Sequence, residues 1–381
     1  MIRRKRSPSR LCIGSLVVLF LLAFLLPAVK EGADARLWIL VAAVPGTLLV
    51  FGMPFISRLF SLDRLLSVVA LVLCASGILA LAPLSPGESL TQAFLCAGAL
   101  VLMLSGSLFA RMLRPAMITS LITAGLALGM CAVPLLSDSV PVLITDLSLP
   151  LLLIAFVSML SLRNQLPAML FALVGTALLL VLGRPVTALI WSVTFILLFW
   201  SSSGHPVILI SGIAAVCLLF SAFRFLSPTL FSENRSSSPD PGIRSGLFGP
   251  VSFEDLFLSE EVSPDSLFSL IIVRYGWILS VCLVLLYPVL LMRGTSLARA
   301  TRSRFHGLIA MGAVLLIALH AVAALLCMAG IVSAQSIVLS GLTRDIPSLG
   351  AFLFLIGMLG AVSSRNRVDL EEDAHLAMLA D

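Results

Sequence analysis

Residues 307–331 read GLIAMGAVLLIALHAVAALLCMAGI, and this stretch decides the fold. His320 is its only acidic or basic side chain. As an α-helix it would extend about 37 Å, enough to cross the roughly 30 Å hydrocarbon core of a bilayer. The apolar residues follow one another without alternation, which excludes a half-buried strand. In lipid a helix satisfies its own backbone hydrogen bonds, and an isolated strand does not.

The same signal recurs along the chain. Of 381 residues, 60% are hydrophobic and only 11% charged, and the mean hydropathy is +1.14. One water-soluble core cannot hide that much apolar surface. Twelve apolar segments can be drawn, at roughly 11–29, 37–56, 65–84, 92–110, 116–136, 147–162, 167–183, 186–201, 206–228, 267–292, 307–331 and 347–363. The sixth to eighth are short. The expected fold class is all-α: a polytopic transmembrane helix bundle of about 12 spans (10 to 12) with one long extracytoplasmic loop.

Basic residues set the topology. RRKR at 3–6 precedes the first span, Arg58 and Arg64 follow the second, Arg111 and Arg114 the fourth, and Arg163 the sixth. RGTSLARATRSR at 293–304 follows the tenth and SSRNR at 363–367 the twelfth. Simple alternation places every cluster on one side, so both termini are expected in the cytoplasm. ADA at 33–35 offers a signal-peptidase site. An uncleaved signal-anchor is the ordinary start of such a chain, and cleavage would leave the later loops on the same sides.

This distribution also accounts for the net charge of +5 without nucleic acid as a partner. The seven cysteines lie inside or at the start of apolar runs and form no CxxC or Cys/His cluster. They read as small buried hydrophobes, not disulfides or metal ligands.

The long loop, 229–266, falls outside the membrane by the same alternation. It carries Glu233, Asp240, Glu254, Asp255, Glu260, Glu261 and Asp265 against Arg235 and Arg244. ENRSSSPDPGIRSG at 233–246 is irregular by composition. Its acid culminates in SEEVSPDSLF at 259–268, at the lip of the tenth span. Asp265 can serve there as a plain N-cap with solvated Glu neighbours. It can also be a carboxylate half-sheltered at the boundary and acting as a general base, with Glu261 beside it.

Other positions stand out because charge or irregular backbone is costly in a membrane. Arg274 lies nine residues beyond Asp265, inside the tenth span, where it would be paired, snorkelling or part of a substrate cavity. GRPVTA at 183–188 places Arg184 on the outer side, as an anion-binding group or as part of a Gly/Pro turn. SGLTRDIPSLGAF at 340–352 suggests an irregular entry into the twelfth span, with Arg344 and Asp345 as a local pair. A lone His320 in the eleventh span reads as structural.

Several of these pieces fall into one order. Ser245-Gly246-Leu247-Phe248-Gly249 is similar to the loop motif SGGLFGKG of the SEDS family of bacterial cell-wall proteins (RodA, FtsW, SpoVE). EVSPDSLFSLIIVRYG at 261–276 resembles the family's PEAHTDFIFAVIGEELG, with Glu261, Asp265, Phe268 and Gly276 at matching spacing. FLSP at 225–228 is similar to FLDP, and RPVTA at 184–188 occupies the place of QPDLGTA. Gly341, Leu342, Thr343, Ser348 and Gly350 keep the spacing of TGLTLPFISYGGSS. The resemblance covers about residues 147–367. It divides the chain into N-terminal spans (1–146, about five), a SEDS-like core with its outer loop (147–367), and an acidic cytoplasmic tail (368–381).

The resemblance implies polymerisation of peptidoglycan glycan strands from lipid II, in elongation, division or sporulation, at the bacterial cytoplasmic membrane. It implies a class B penicillin-binding protein, a transpeptidase, as partner. The site residues it suggests are Asp265 and Glu261 for catalysis. Arg184, Arg224, Arg244, Arg274, Ser348 and Gly350 would bind substrate, the arginines countering charge on a polyprenyl pyrophosphate leaving group. The acidic loop leaves room for a divalent cation, Mg2+ or Mn2+, although no metal-ligand spacing demands one. The chain departs from the family where Val273 and Arg274 replace two Glu residues and where the Asp of PDLGT is missing. It also carries two spans beyond the family's usual number of about ten. Two other functions stay open at this stage: a flippase or transporter for a lipid-linked precursor, and a non-catalytic membrane scaffold for a transpeptidase.

Overall fold

The computed structural model describes residues 62–81, 86–113, 116–136, 144–162, 165–204, 206–226, 267–329 and 339–380. The first two expected spans and the loop at 229–266 lie outside them. Eleven helices are described: α1 (Arg64–Leu81), α2 (Pro86–Met112), α3 (Met117–Leu136), α4 (Thr145–Ser161), α5 (Gln165–Val181), α6 (Pro185–Ser203), α7 (Pro206–Leu226), α8 (Leu267–Val284), α9 (Leu286–Ala300), α10 (Arg304–Met328) and α11 (Ile346–Ala380). There is no strand among the described residues. Six helical stretches are long and apolar enough to cross a membrane, and four more are apolar but shorter. Together they account for the ten expected spans that fall on described residues. The chain is a polytopic helical membrane protein.

Its surface is the inverse of a soluble protein's. Phe94, Ile118, Leu121, Ile122, Leu170, Leu218 and Phe225 are exposed, as side chains facing lipid tails should be. Apolar burial therefore does not drive the helices together, and close packing must. The most extensive helix–helix contact among the described elements joins α2 to α11. There Gly357 lies against the backbone of Met103 and Ser107, and Gly106 against that of Phe354. A methyl group at either position would meet main chain. This crossing ties α2 to a helix beyond residue 146, so the segments on the two sides of that position share one packed core. On the other flank, Phe156 of α4 meets Trp191, Phe195 and Phe199 of α6. Trp191 Nε1 also donates to Ala172 O of α5 at 3.2 Å.

Three helices differ from their hydropathy profile. The tenth segment, expected as one span over 267–292, breaks at Gly276, whose φ of 82° and ψ of 177° leave the helical region. Only glycine adopts that conformation without strain. A second irregularity follows at Leu285, where Pro288 cannot donate to the carbonyl four residues earlier. Beyond it α9 continues to Ala300, taking Arg293 and Arg299 into regular helix. The acidic tail, expected as a short solvated extension, continues α11 as helix to Ala380.

The two ends of the bundle sort residues as the alternation requires. At one end Asp63 pairs with Arg293 (Oδ2 to Nη2 2.6 Å), Thr301 bonds Asn366 (2.9 Å), and Arg304 bonds Ser202 O (2.9 Å). These are the ends expected to face the cytoplasm. The starts of α4, α6 and α11, expected outside, meet at the other.

Candidate functional site

The site begins with a turn. Gly183 takes φ 72°, which lets Arg184 N bond back to Leu179 O at 3.0 Å and close α5. Pro185 then opens α6 with no donor to waste. The turn carries Arg184 inward instead of toward water, and the residue is only 6% exposed. The Gly/Pro turn expected of GRPVTA is therefore present.

Buried guanidinium must be paired. Arg184 Nη1 donates to Thr145 Oγ1 at 2.8 Å and to Asp146 Oδ1, both in the first turn of α4. Ser348, in the first turn of α11, donates its hydroxyl to the other oxygen, Asp146 Oδ2. One carboxylate therefore binds α6 and α11 to α4. Arg184 Nε, by contrast, is buried without a hydrogen-bond partner among the described residues.

Asp146, Arg184 and Ser348 line a cavity of about 30 Å³ whose other walls include Thr187, His320 and Ser340 and a larger apolar share, Phe352 among it. That is room for a water-sized group, not a sugar. Ser340 belongs to a non-helical segment, 339–345, in which Leu339, Leu342 and Thr343 are buried. Gly341 takes φ 93° there, against the ring of Phe352. Gln92 Nε2 donates to Thr343 O at 2.9 Å, and the Tyr287 hydroxyl donates to Ser340 O. Tyr287 and His320 both lie inside expected spans, so this segment dips to membrane depth. Irregular backbone survives there because it is enclosed by protein and lines a cavity. His320 bonds Leu316 O through Nδ1 at 2.9 Å, an ordinary within-helix contact, but its ring faces the same cavity.

Three helix N-termini, those of α4, α6 and α11, converge here. Their unpaired N–H groups carry partial positive charge, so the recess favours anions. Asp146 is the anion it holds.

Of the expected site residues, the structure brings Arg184 and Ser348 together through Asp146, which sequence reasoning missed. Gly350 is a packing position: a Cβ there would sit 2.7 Å from Leu102 and 3.2 Å from Leu147. Arg224 is exposed in the last turn of α7 and does not line the cavity. The Arg274 side chain, Arg244, Glu261 and Asp265 lie outside the described residues. Leu267, two residues after Asp265, opens α8 beside this region: Leu267 and Leu342 flank the space over Gly77, at 3.0 and 3.9 Å. Among the described residues no group of three metal-ligating side chains converges.

No family model and no curated protein matches the sequence. Solved structures do. A chain of a peptidoglycan synthase complex that coordinates polymerization and crosslinking is 19% identical, with a TM-score of 0.59 over 80% of this chain and 98% of that one. An aspartate-to-alanine variant of the Thermus thermophilus rod-shape-determining protein RodA is 20% identical, with a TM-score of 0.56 over 79% of this chain and 97% of that one. Over about four-fifths of its length the chain thus has the fold of RodA.

Proposed function

We propose that this chain is a divergent SEDS protein that polymerises peptidoglycan glycan strands from lipid II at the outer face of the bacterial cytoplasmic membrane. The observation that carries this is the RodA-like fold of the bundle; the buried cluster of Asp146, Arg184 and Ser348, two of which lie in segments that resemble SEDS motifs, supports it. The substrate has a polyprenyl tail, a pyrophosphate and a disaccharide. The spans hold the tail, and the loop at 229–266 meets the sugar.

Asp265 accepts the proton of the attacking sugar hydroxyl as its oxygen bonds to the anomeric carbon. The glycosyl–oxygen bond to the pyrophosphate breaks, and negative charge gathers on the leaving group. Arg184, Arg244 and Arg274 are the cations that counter it. Glu261 stands beside Asp265. The partner is a class B penicillin-binding protein, and both termini are cytoplasmic. A divalent cation bound by the acidic loop would further screen the pyrophosphate.

Glycan synthesis from lipid II by the purified chain, with and without that partner, tests the assignment. Wild type elongates glycan, and Asp265→Ala lowers the rate at least about 100-fold with unchanged membrane insertion. A flippase would move labelled lipid across proteoliposomes without elongating glycan. A scaffold would keep its cellular function in Asp265→Ala.

A further inference from the structure

At the end of the bundle expected in the cytoplasm, α9 presents an exposed stripe. Leu285, itself in helical backbone just ahead of α9, is followed by Val289, Met292, Ser296 and Arg299. Steps of three and four residues put them on one helix face. The stripe runs about 21 Å along the axis, somewhat more than the half-thickness of about 15 Å of a bilayer's hydrocarbon core. It changes character on the way. Leu285, Val289 and Met292 are apolar and exposed, Met292 at 73%. The next two turns bring Ser296, Arg299 and Ala300, also exposed. Here an open groove of about 550 Å³ is lined by Met292, Thr295, Ser296, Arg299 and Ala300.

The cation in this groove is uncommitted. Arg293 pairs with Asp63, Arg304 bonds Ser202, and Arg365 bonds His306. Arg299 makes no hydrogen bond or ion pair with any described residue. The hydroxyls beside it donate to their own helix, Thr295 to Met292 O at 3.0 Å and Ser296 to Arg293 O at 2.7 Å. Arg299 is therefore the donor the groove offers to a ligand. The positive-inside bias accounts for a cation at this end of the bundle. It does not account for a groove beside that cation, or for the apolar stripe that leads into it. A phospholipid with net negative charge matches all three. Its acyl chain lies along the apolar part, and its phosphate accepts from the guanidinium fork. A zwitterionic lipid has the same phosphate but brings a cation to a face that is already positive.

We propose that this face of α9 is a binding site for an anionic phospholipid of the cytoplasmic leaflet, with the phosphate on Arg299 and an acyl chain against Met292, Val289 and Leu285. Arg293 at its edge and Arg302, exposed just beyond α9, add positive potential. The leaflet follows from the topology proposed above. The site itself is independent of the polymerase assignment.

The full chain, purified in detergent, is titrated with phosphatidylglycerol and separately with phosphatidylcholine, and retained lipid is counted by native mass spectrometry. Wild type retains phosphatidylglycerol in preference, and added salt weakens the preference. Arg299→Gln binds phosphatidylglycerol about fivefold more weakly, the scale for one arginine beside an anionic lipid surface, and leaves phosphatidylcholine unchanged. Ser296→Trp keeps every charge but fills the groove, and it lowers retention too. Arg367→Gln removes an equal charge from α11, outside the groove, and keeps wild-type binding. All three positions are exposed, so thermal unfolding stays at the wild-type temperature.

Equal losses in Arg299→Gln and Arg367→Gln would reveal only the diffuse pull of a basic surface and overturn the site. Wild type without a preference for phosphatidylglycerol, or Ser296→Trp with wild-type retention, would overturn it as well. Excess inorganic phosphate leaves the lipid bound; displacement would reduce the groove to a plain anion site and sink the lipid.

Discussion

Two trios of the same composition stand at opposite ends of this bundle. Asp146, Arg184 and Ser348 meet at the end expected outside (the outer end), and Asp63, Arg293 and Ser363 at the end expected in the cytoplasm (the inner end). Their surroundings differ. The outer pair is almost fully enclosed, with side chains 5% and 9% exposed. At the inner end Arg293 is 42% exposed, while Asp63 and Ser363 are buried. Asp63 is also an N-cap, accepting from Leu65 N at 3.0 Å and Leu66 N at 3.3 Å while Arg293 bonds its other oxygen through Nε and Nη2. The inner trio is locally satisfied, and its arginine reaches water. The outer trio is enclosed, and one of its donors, Arg184 Nε, has no hydrogen-bond partner among the described residues. Chemistry alike in composition is open to water in one place and shut away from it in the other.

The largest difference should appear on breaking each pair from the acid side. Asp146→Leu strands a buried guanidinium and should cost about 3–5 kcal/mol of stability, read as thermal unfolding in detergent. Adding Arg184→Met should recover most of that loss without recovering lipid II binding, because an apolar pair of similar volume can replace a buried ion pair. Asp63→Ala removes a cap but lets Arg293 turn to solvent, so about 1–2 kcal/mol is expected. Arg293→Ala leaves the cap intact and should cost less than about 1 kcal/mol, shrinking further at high salt. A comparable loss for Asp146→Leu and Asp63→Ala would erase the distinction.

Much of the bundle was legible in the sequence because hydropathy reports membrane crossing directly. It reports helix length less well. The apolar signal in the last span ends near residue 363, where lipid ends, while α11 runs on to Ala380. Likewise α9 continues through Leu297 and Ala298 to Ala300. Gly276 was hidden for the opposite reason: one glycine within a span gives no sign by itself that the backbone turns there. Arg184 and Ser348 were visible as a charge and a small residue in unusual places. Asp146 was not, because a carboxylate at the edge of a span looks like any loop acid. Its partners lie 38 and 202 positions away, and only the fold brings them within reach. Asp63 was missed in the same way, with Arg293 230 positions distant.

Glycan synthesis from lipid II, measured side by side for purified wild type, Arg184→Lys and Arg293→Lys, tests the distinction between the two ends most directly. Arg293→Lys should match wild type, while Arg184→Lys should need at least about tenfold more lipid II for half-maximal rate. Equal activity in the two variants, or a larger loss in Arg293→Lys, would contradict a functional site at the outer end.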